Sequence, residues 1–208
     1  MARGEDMRWF GKLLRNAKKL RDDVGGAAAV EFAFLAPLLM LILLGIIEGG
    51  RAVNIDRQFT SAVNTAGDLV AREENLGTSS TAAGKNLEDM MKSINHLMAP
   101  YNPAELKMGV FSVQVSPDDE DKTKVTWSYN PNGVPDVPSK CQSYALPAHL
   151  VPKGGSVIVV KAQYKFTPLF GDYVPGFGSL GELTEKSYHS PRNACVDYVK
   201  GDNCLNPC

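Results

Sequence analysis

One segment limits what this chain can become: the apolar run at residues 27–47, inside GAAAVEFAFLAPLLMLILLGIIEGG. As a helix rising 1.5 Å per residue it spans about 31 Å, close to the ~30 Å hydrocarbon core of a bilayer. A single carboxylate, Glu31, interrupts it at the fifth position. A lone carboxylate at a bilayer centre costs about 2.5–3.5 kcal/mol. Any fold must therefore give the run an apolar surrounding and give Glu31 water or a partner.

Charge sets the expected orientation. The chain has 22 Lys and Arg against 23 Asp and Glu, but residues 1–26 hold seven of the former and only four of the latter. Positive charge is retained in the cytoplasm, so residues 1–26 are expected inside and the chain beyond Ile47 outside. No basic surface of the kind that binds nucleic acid is implied, whereas inner-membrane lipid is an expected partner. An ordinary cleaved secretory signal has a shorter apolar region ending at a small-residue site; the run here is longer and IIEGGR fits such a site poorly. A plain signal-anchor helix is the alternative that competes most directly.

The cysteines agree with export. Cys141, Cys195, Cys204 and Cys208 all follow the run, and an even count in an oxidising compartment points to two disulfides. The pairing expected is Cys141 with Cys195 and Cys204 with Cys208, out of three possible. The spacing lacks the paired C-x2-C of a zinc site.

Periodicity divides the chain into a leader (1–26), a transmembrane helix segment (27–47), an amphipathic continuation (48–76) and a head domain (77–208). Residues 8–24 (RWFGKLLRNAKKLRDDV) have the spacing of a basic amphipathic helix, either lying on the anionic inner leaflet or solvated. Gly25-Gly26 is expected to break that helix and open to an extended form accessible to a protease. Beyond the run, Ile55, Phe59, Ala62, Val63, Ala66 and Val70 recur every three or four residues, which predicts one amphipathic helix continuing to about Asn75. A second helix is expected over 82–99, its Met90, Met91 and Met98 serving as adaptable core packing. Alternation then predicts strands at 106–116, 124–130, 156–167 and 181–190. The fold class expected is α+β: a long N-terminal helix followed by a small antiparallel-sheet head carrying the second helix. Between the first two strands, PDDED lacks the spacing and glycine of a calcium loop and reads as a hairpin tip. Residues 131–155 contain five prolines and no period, a long excursion of the kind that binds something or needs a staple.

Nothing predicts catalysis. His96, His149 and His189 are accompanied by no nucleophile elbow, zinc-helix motif or phosphate loop. The chain is expected not to be an enzyme and to need no metal or cofactor; an anchored secreted enzyme is the weakest of the alternatives.

The heptapeptide Gly26-Ala27-Ala28-Ala29-Val30-Glu31-Phe32 resembles the processing site of Flp-type (Tad) prepilins: glycine, four small or apolar residues, glutamate and an aromatic. The longer GGAAAVEFAFLAPLLMLILLGIIEGGR is similar to TadE-like minor pilins, with Glu31-Phe32-Ala33, Pro37, Gly45, Glu48 and Arg51 in the same order. AGDLVAR resembles that family's helical continuation; QYKFTPLF and Ser190-Pro191-Arg192 resemble its later segments. The first quarter of the chain carries most of the likeness. The long leader and the cysteine-bearing tail depart from it.

The resemblance implies a prepilin in the bacterial inner membrane, N-terminus in the cytoplasm and head in the periplasm, incorporated into an extracellular pilus. A membrane prepilin peptidase would cut after Gly26, giving Ala27 a free α-ammonium and making Glu31 the fifth residue. Glu31 then either sits near the inner interface, relieved by water, or pairs with that ammonium on its own or a neighbouring subunit. Pro37, Gly45 and Glu48 would serve helix packing and assembly, with Pro37 softening the helix for extraction. The implied partners are the peptidase, other Tad pilins and minor pilins, and the inner-membrane assembly platform. The alternative is an uncleaved single-pass protein with a periplasmic binding or sensing domain.

Overall fold

The computed structural model describes residues 25–171, 173 and 181–202. The amphipathic reading of residues 8–24 and the tail cysteines Cys204 and Cys208 lie outside the described residues. The chain divides into two units, one up to Ile47 and one from Glu48 onward. One helix, α1, runs Gly25–Arg72 and contributes to both.

The first unit is plain. Its side chains from Val30 to Ile47 include a long series of exposed large hydrophobics, among them Phe32, Phe34, Leu38 and Ile42. The helix is long and apolar enough to cross a membrane. One expectation changes here. Gly25 and Gly26 are helical, the first two residues of α1, and not extended. Each glycine costs about 1 kcal/mol against alanine in a helix, but a strong apolar helix C-terminal to it propagates through that cost. Pro37 also lies inside continuous helix. Its missing N–H leaves the carbonyl one turn earlier without its usual donor, and its ring crowds that carbonyl.

The second unit is an α+β head. Its helical part of α1 presents Ile55, Phe59, Ala62, Val63, Ala66 and Val70 as one buried stripe, with Asp56, Arg57, Asp68 and Arg72 on the exposed side. The helix ends at Arg72, three residues before the expected Asn75. The reason lies far along the chain. The Arg192 amide donates to the Ala71 carbonyl at 2.9 Å, Leu76 donates to the Asp197 carbonyl at 2.9 Å, and Asp197 donates to the Glu74 carbonyl at 3.1 Å. This late segment satisfies the carbonyls that the helix end leaves free and draws residues 73–77 into a bridge.

Helix α2 spans Ser80–Asn95, and its N-terminus is capped by Ser79, whose hydroxyl accepts from the Ala82 amide at 3.2 Å. A short 3-10 turn, His96–Met98, extends it toward Pro100. Four strands follow: β1 Leu106–Val115, β2 Thr123–Tyr129, β3 Ser156–Lys165 and β4 Glu182–His189. They form one antiparallel sheet in the order β2-β1-β3-β4. The acidic PDDED segment is the β1–β2 turn: Ser116 donates to Lys122, and the Asp119 carboxylate accepts from the Asp121 amide at 3.1 Å.

Both faces of the sheet are covered. One face carries Met108, Val110, Trp127, Ile158, Val160 and Tyr164 in the same core as the α1 stripe and Leu87 and Ile94 of α2. The other carries Phe111, Val113, Val125, Val157 and Val159, and Val137, Tyr144, Leu146 and Val151 of the 131–155 excursion pack over it. The excursion therefore acts as a second lid on the sheet. It is held at the β2 edge by Cys141 donating to Val125, Val125 donating to Gln142, and the Thr123 hydroxyl donating to the Tyr144 carbonyl. Gly109 permits its approach, since a Cβ there would meet Val137 at 2.8 Å.

Candidate functional site

In the first unit, Gly26, Ala27, Glu31 and Phe32 are all exposed on α1. A Cβ built at Gly26 meets nothing. Glu31 lies four residues beyond Ala27. Positions four apart on a helix occupy one face about one turn apart, so Glu31 stands over Ala27 within reach of a group on its nitrogen. Pro37 is exposed and Gly45 half-buried.

In the second unit the most telling group is Glu48. It is 0% exposed, a charge-bearing side chain at the first position after the apolar run. Its Oε1 accepts from Arg51 Nη1 at 3.1 Å and from the Leu169 backbone amide at 3.1 Å. The spacing of three along α1 brings Arg51 to Glu48, and the chain leaving β3 brings Leu169 to both. Arg51 is in turn held over the ring of Phe166, 5.9 Å from its centroid. Glu48 Oε2 is buried and has no hydrogen-bond partner among the described residues. An acid so placed costs desolvation, which a salt bridge and an amide offset only in part. The cluster fixes the chain after β3 against α1.

A second helix–sheet contact went unread in the sequence. Gly67 is buried on α1 beneath His189 of β4, and a Cβ there would overlap the imidazole. Burial pushes the His189 pKa below its ordinary value, opposed in smaller part by the carboxylate of Asp68. Its Nε2 is buried without a hydrogen-bond partner among the described residues. A glycine on the buried stripe of an amphipathic helix is the signal that a bulky neighbour approaches there; nothing in the sequence identifies that neighbour as His189.

The sign of the resulting pH effect is fixed. His189 stays neutral in the fold at a pH where the unfolded imidazole, near pKa 6.5, takes up a proton. Its contribution to stability is present above about pH 6.5 and is lost as pH falls toward the lowered folded value. The thermal midpoint of the solubilised protein is expected to drop between about pH 7.5 and pH 5.5 by more than it does for His189→Asn or Gly67→Ala. Alanine at Gly67 expels the ring to water and restores its ordinary titration. Equal drops in all three proteins would refute this.

The remaining candidates separate. His96 and His149 are exposed, the latter 3.8 Å from Glu120. Among the described residues no group of three or more His, Cys, Asp or Glu is placed to hold a metal ion. Cys141 and Cys195 both take part in disulfides; the pairing reading also rests on Cys204 and Cys208, outside the described residues. Cys195 lies in the segment that closes the helix end, where the Trp127 indole donates to the Val196 carbonyl at 2.7 Å.

Comparison with known proteins bears on the helix. Residues 26–68 match the family model described as TadE-like protein. No curated protein and no solved structure matches the chain. The matched stretch opens on Gly26 and takes in Glu31, Phe32, Pro37, Gly45, Glu48, Arg51 and Gly67. It thus contains the acid inside the apolar run, the buried acid just beyond it and the glycine under His189. Over residues 26–68 the chain is thus similar to the TadE-like family.

Proposed function

We propose that the chain is a minor pilin of a Tad-type pilus, made as an inner-membrane prepilin and cut after Gly26. The observation that carries the reading is where the TadE-like match starts: at Gly26, in the first turn of α1, with an otherwise costly acid as the fifth residue after it. Cleavage there frees the nitrogen of Ala27 as an ammonium one helical turn below Glu31. A charge pair in lipid is far less costly than a lone carboxylate. The pair forms within the chain or between neighbouring helices, where Ala27, Ala28 and Ala29 let backbones come close. Between neighbours it favours one register, as a buried polar group does in a coiled coil.

In this reading the chain is a substrate of a prepilin peptidase and a structural part, not a catalyst. The head lies in the periplasm until the helix is withdrawn into the filament, and it primes assembly or occupies the tip. The helical state of Gly25 and Gly26 adds a requirement: the peptidase unwinds the start of α1 or binds before it winds. Two adjacent glycines make that unwinding inexpensive, by about 1 kcal/mol each relative to alanine.

The test is substitution at the cut. Gly26→Val is expected to leave the leader attached and to remove the chain from sheared filaments while it persists in the membrane. Processing that continues unchanged in Gly26→Val would reject the assignment of the cut. The alternative, an uncleaved single-pass protein, requires the leader on the native protein as well.

A further inference from the structure

We infer that the turn after β3, carrying Leu169, Phe170 and Tyr173, rests on the lipid surface where α1 leaves the bilayer. The position follows from the buried acid. The Leu169 amide is bonded to Glu48 at 3.1 Å, and Glu48 is the residue next after the apolar run. If residues 27–47 fill the hydrocarbon core, Glu48 and the Leu169 backbone lie at its boundary. The inference rests on that anchoring.

The chemistry of the turn fits such a surface. Leu169 is 64% exposed and Tyr173 72% exposed. The Tyr173 amide donates to the Phe170 carbonyl at 2.9 Å, so the turn closes on itself and keeps its side chains together. An aliphatic group beside a tyrosine, apolar at one end and wet at the other, is what the headgroup zone accepts. The charge balance agrees. Glu48 is withdrawn from the surface and matched by Arg51, so the cluster presents no bare acid to anionic lipid. The occupant is therefore lipid. The turn sets the head's height against the membrane, and it is released when the helix is extracted.

The test uses the full chain in vesicles of phosphatidylethanolamine and phosphatidylglycerol, with separate preparations brominated near the carbonyl end and near the methyl end of the acyl chains. Three single variants are compared with the parent, whose own Trp9 and Trp127 are subtracted: Leu39→Trp in the apolar run, Leu169→Trp in the turn, and Leu150→Trp in the excursion on the far face of the sheet. Bromine is expected to quench the added emission in Leu39→Trp and to roughly halve it in Leu169→Trp, with Leu150→Trp unaffected. Quenching in Leu39→Trp without quenching in Leu169→Trp overturns the inference and leaves anchoring intact. Quenching in neither removes anchoring and the inference with it. A Leu169→Trp signal untouched by bromine but blue-shifted when pilin partners are reconstituted also overturns it, and assigns the turn to a protein neighbour.

Discussion

Cells carrying Glu31→Ala are expected to lose this chain from sheared filaments by roughly tenfold or more, while the membrane level of the processed chain holds. The variant strands the Ala27 ammonium instead of the carboxylate. A charge left unpaired in lipid costs about 2.5–3.5 kcal/mol on insertion scales. An equilibrium shifts tenfold for every 1.4 kcal/mol, so even half of that penalty removes most of the assembled form. Glu31→Asp retains the charge one methylene short and is expected to recover part of the loss; Glu31→Gln retains shape without charge and is not. The same ranking is expected for recovery of pilin partners from detergent. Unchanged recovery in Glu31→Ala and Glu31→Gln would place the acid in water at the inner interface, with no role in register.

The second large effect lies in the head. Glu48→Ala removes the acceptor shared by Arg51 and the Leu169 amide. A hydrogen bond to a charged group contributes about 1.5–3 kcal/mol, and an amide left buried without an acceptor costs a comparable amount. Arg51 retains some access to water, its side chain being 28% exposed, which lowers the total. A loss of about 2–3 kcal/mol in urea unfolding of the solubilised protein is expected, accompanied by early proteolysis in the turn after β3. Glu48→Gln retains an oxygen for the Leu169 amide and is expected to lose less. If Glu48→Ala unfolds at the same urea concentration as the parent and its turn stays protected, the cluster does not hold that segment.

The helices and strands were legible because each has a clear period. The stripe from Ile55 to Val70 predicts the buried face of α1, and the strand patterns at 106–116, 124–130 and 156–167 predict the sheet to within a residue or two. Local signals failed where distant chain decides. Gly25-Gly26 reads as extended chain by propensity, yet both are helical, as the first residues of α1 ahead of the apolar run. The end of α1 reads as Asn75, yet Arg192 and Asp197, more than a hundred residues later, close it at Arg72. The excursion has no period because its Val137, Tyr144 and Leu146 face one sheet surface from an irregular backbone. At the site, Glu31 and Glu48 stand out in sequence as acids in or beside an apolar run. Their environments do not: Glu48 needs Leu169, brought to it by the sheet, and Gly67 needs His189.

The central claim is that the acid in the apolar run is matched by a new positive terminus. Intact mass and N-terminal sequencing of the protein extracted from native membranes test it most directly. The account predicts a chain beginning at Ala27 in both membrane and filament fractions. A chain still beginning at Met1 in working filaments would contradict it.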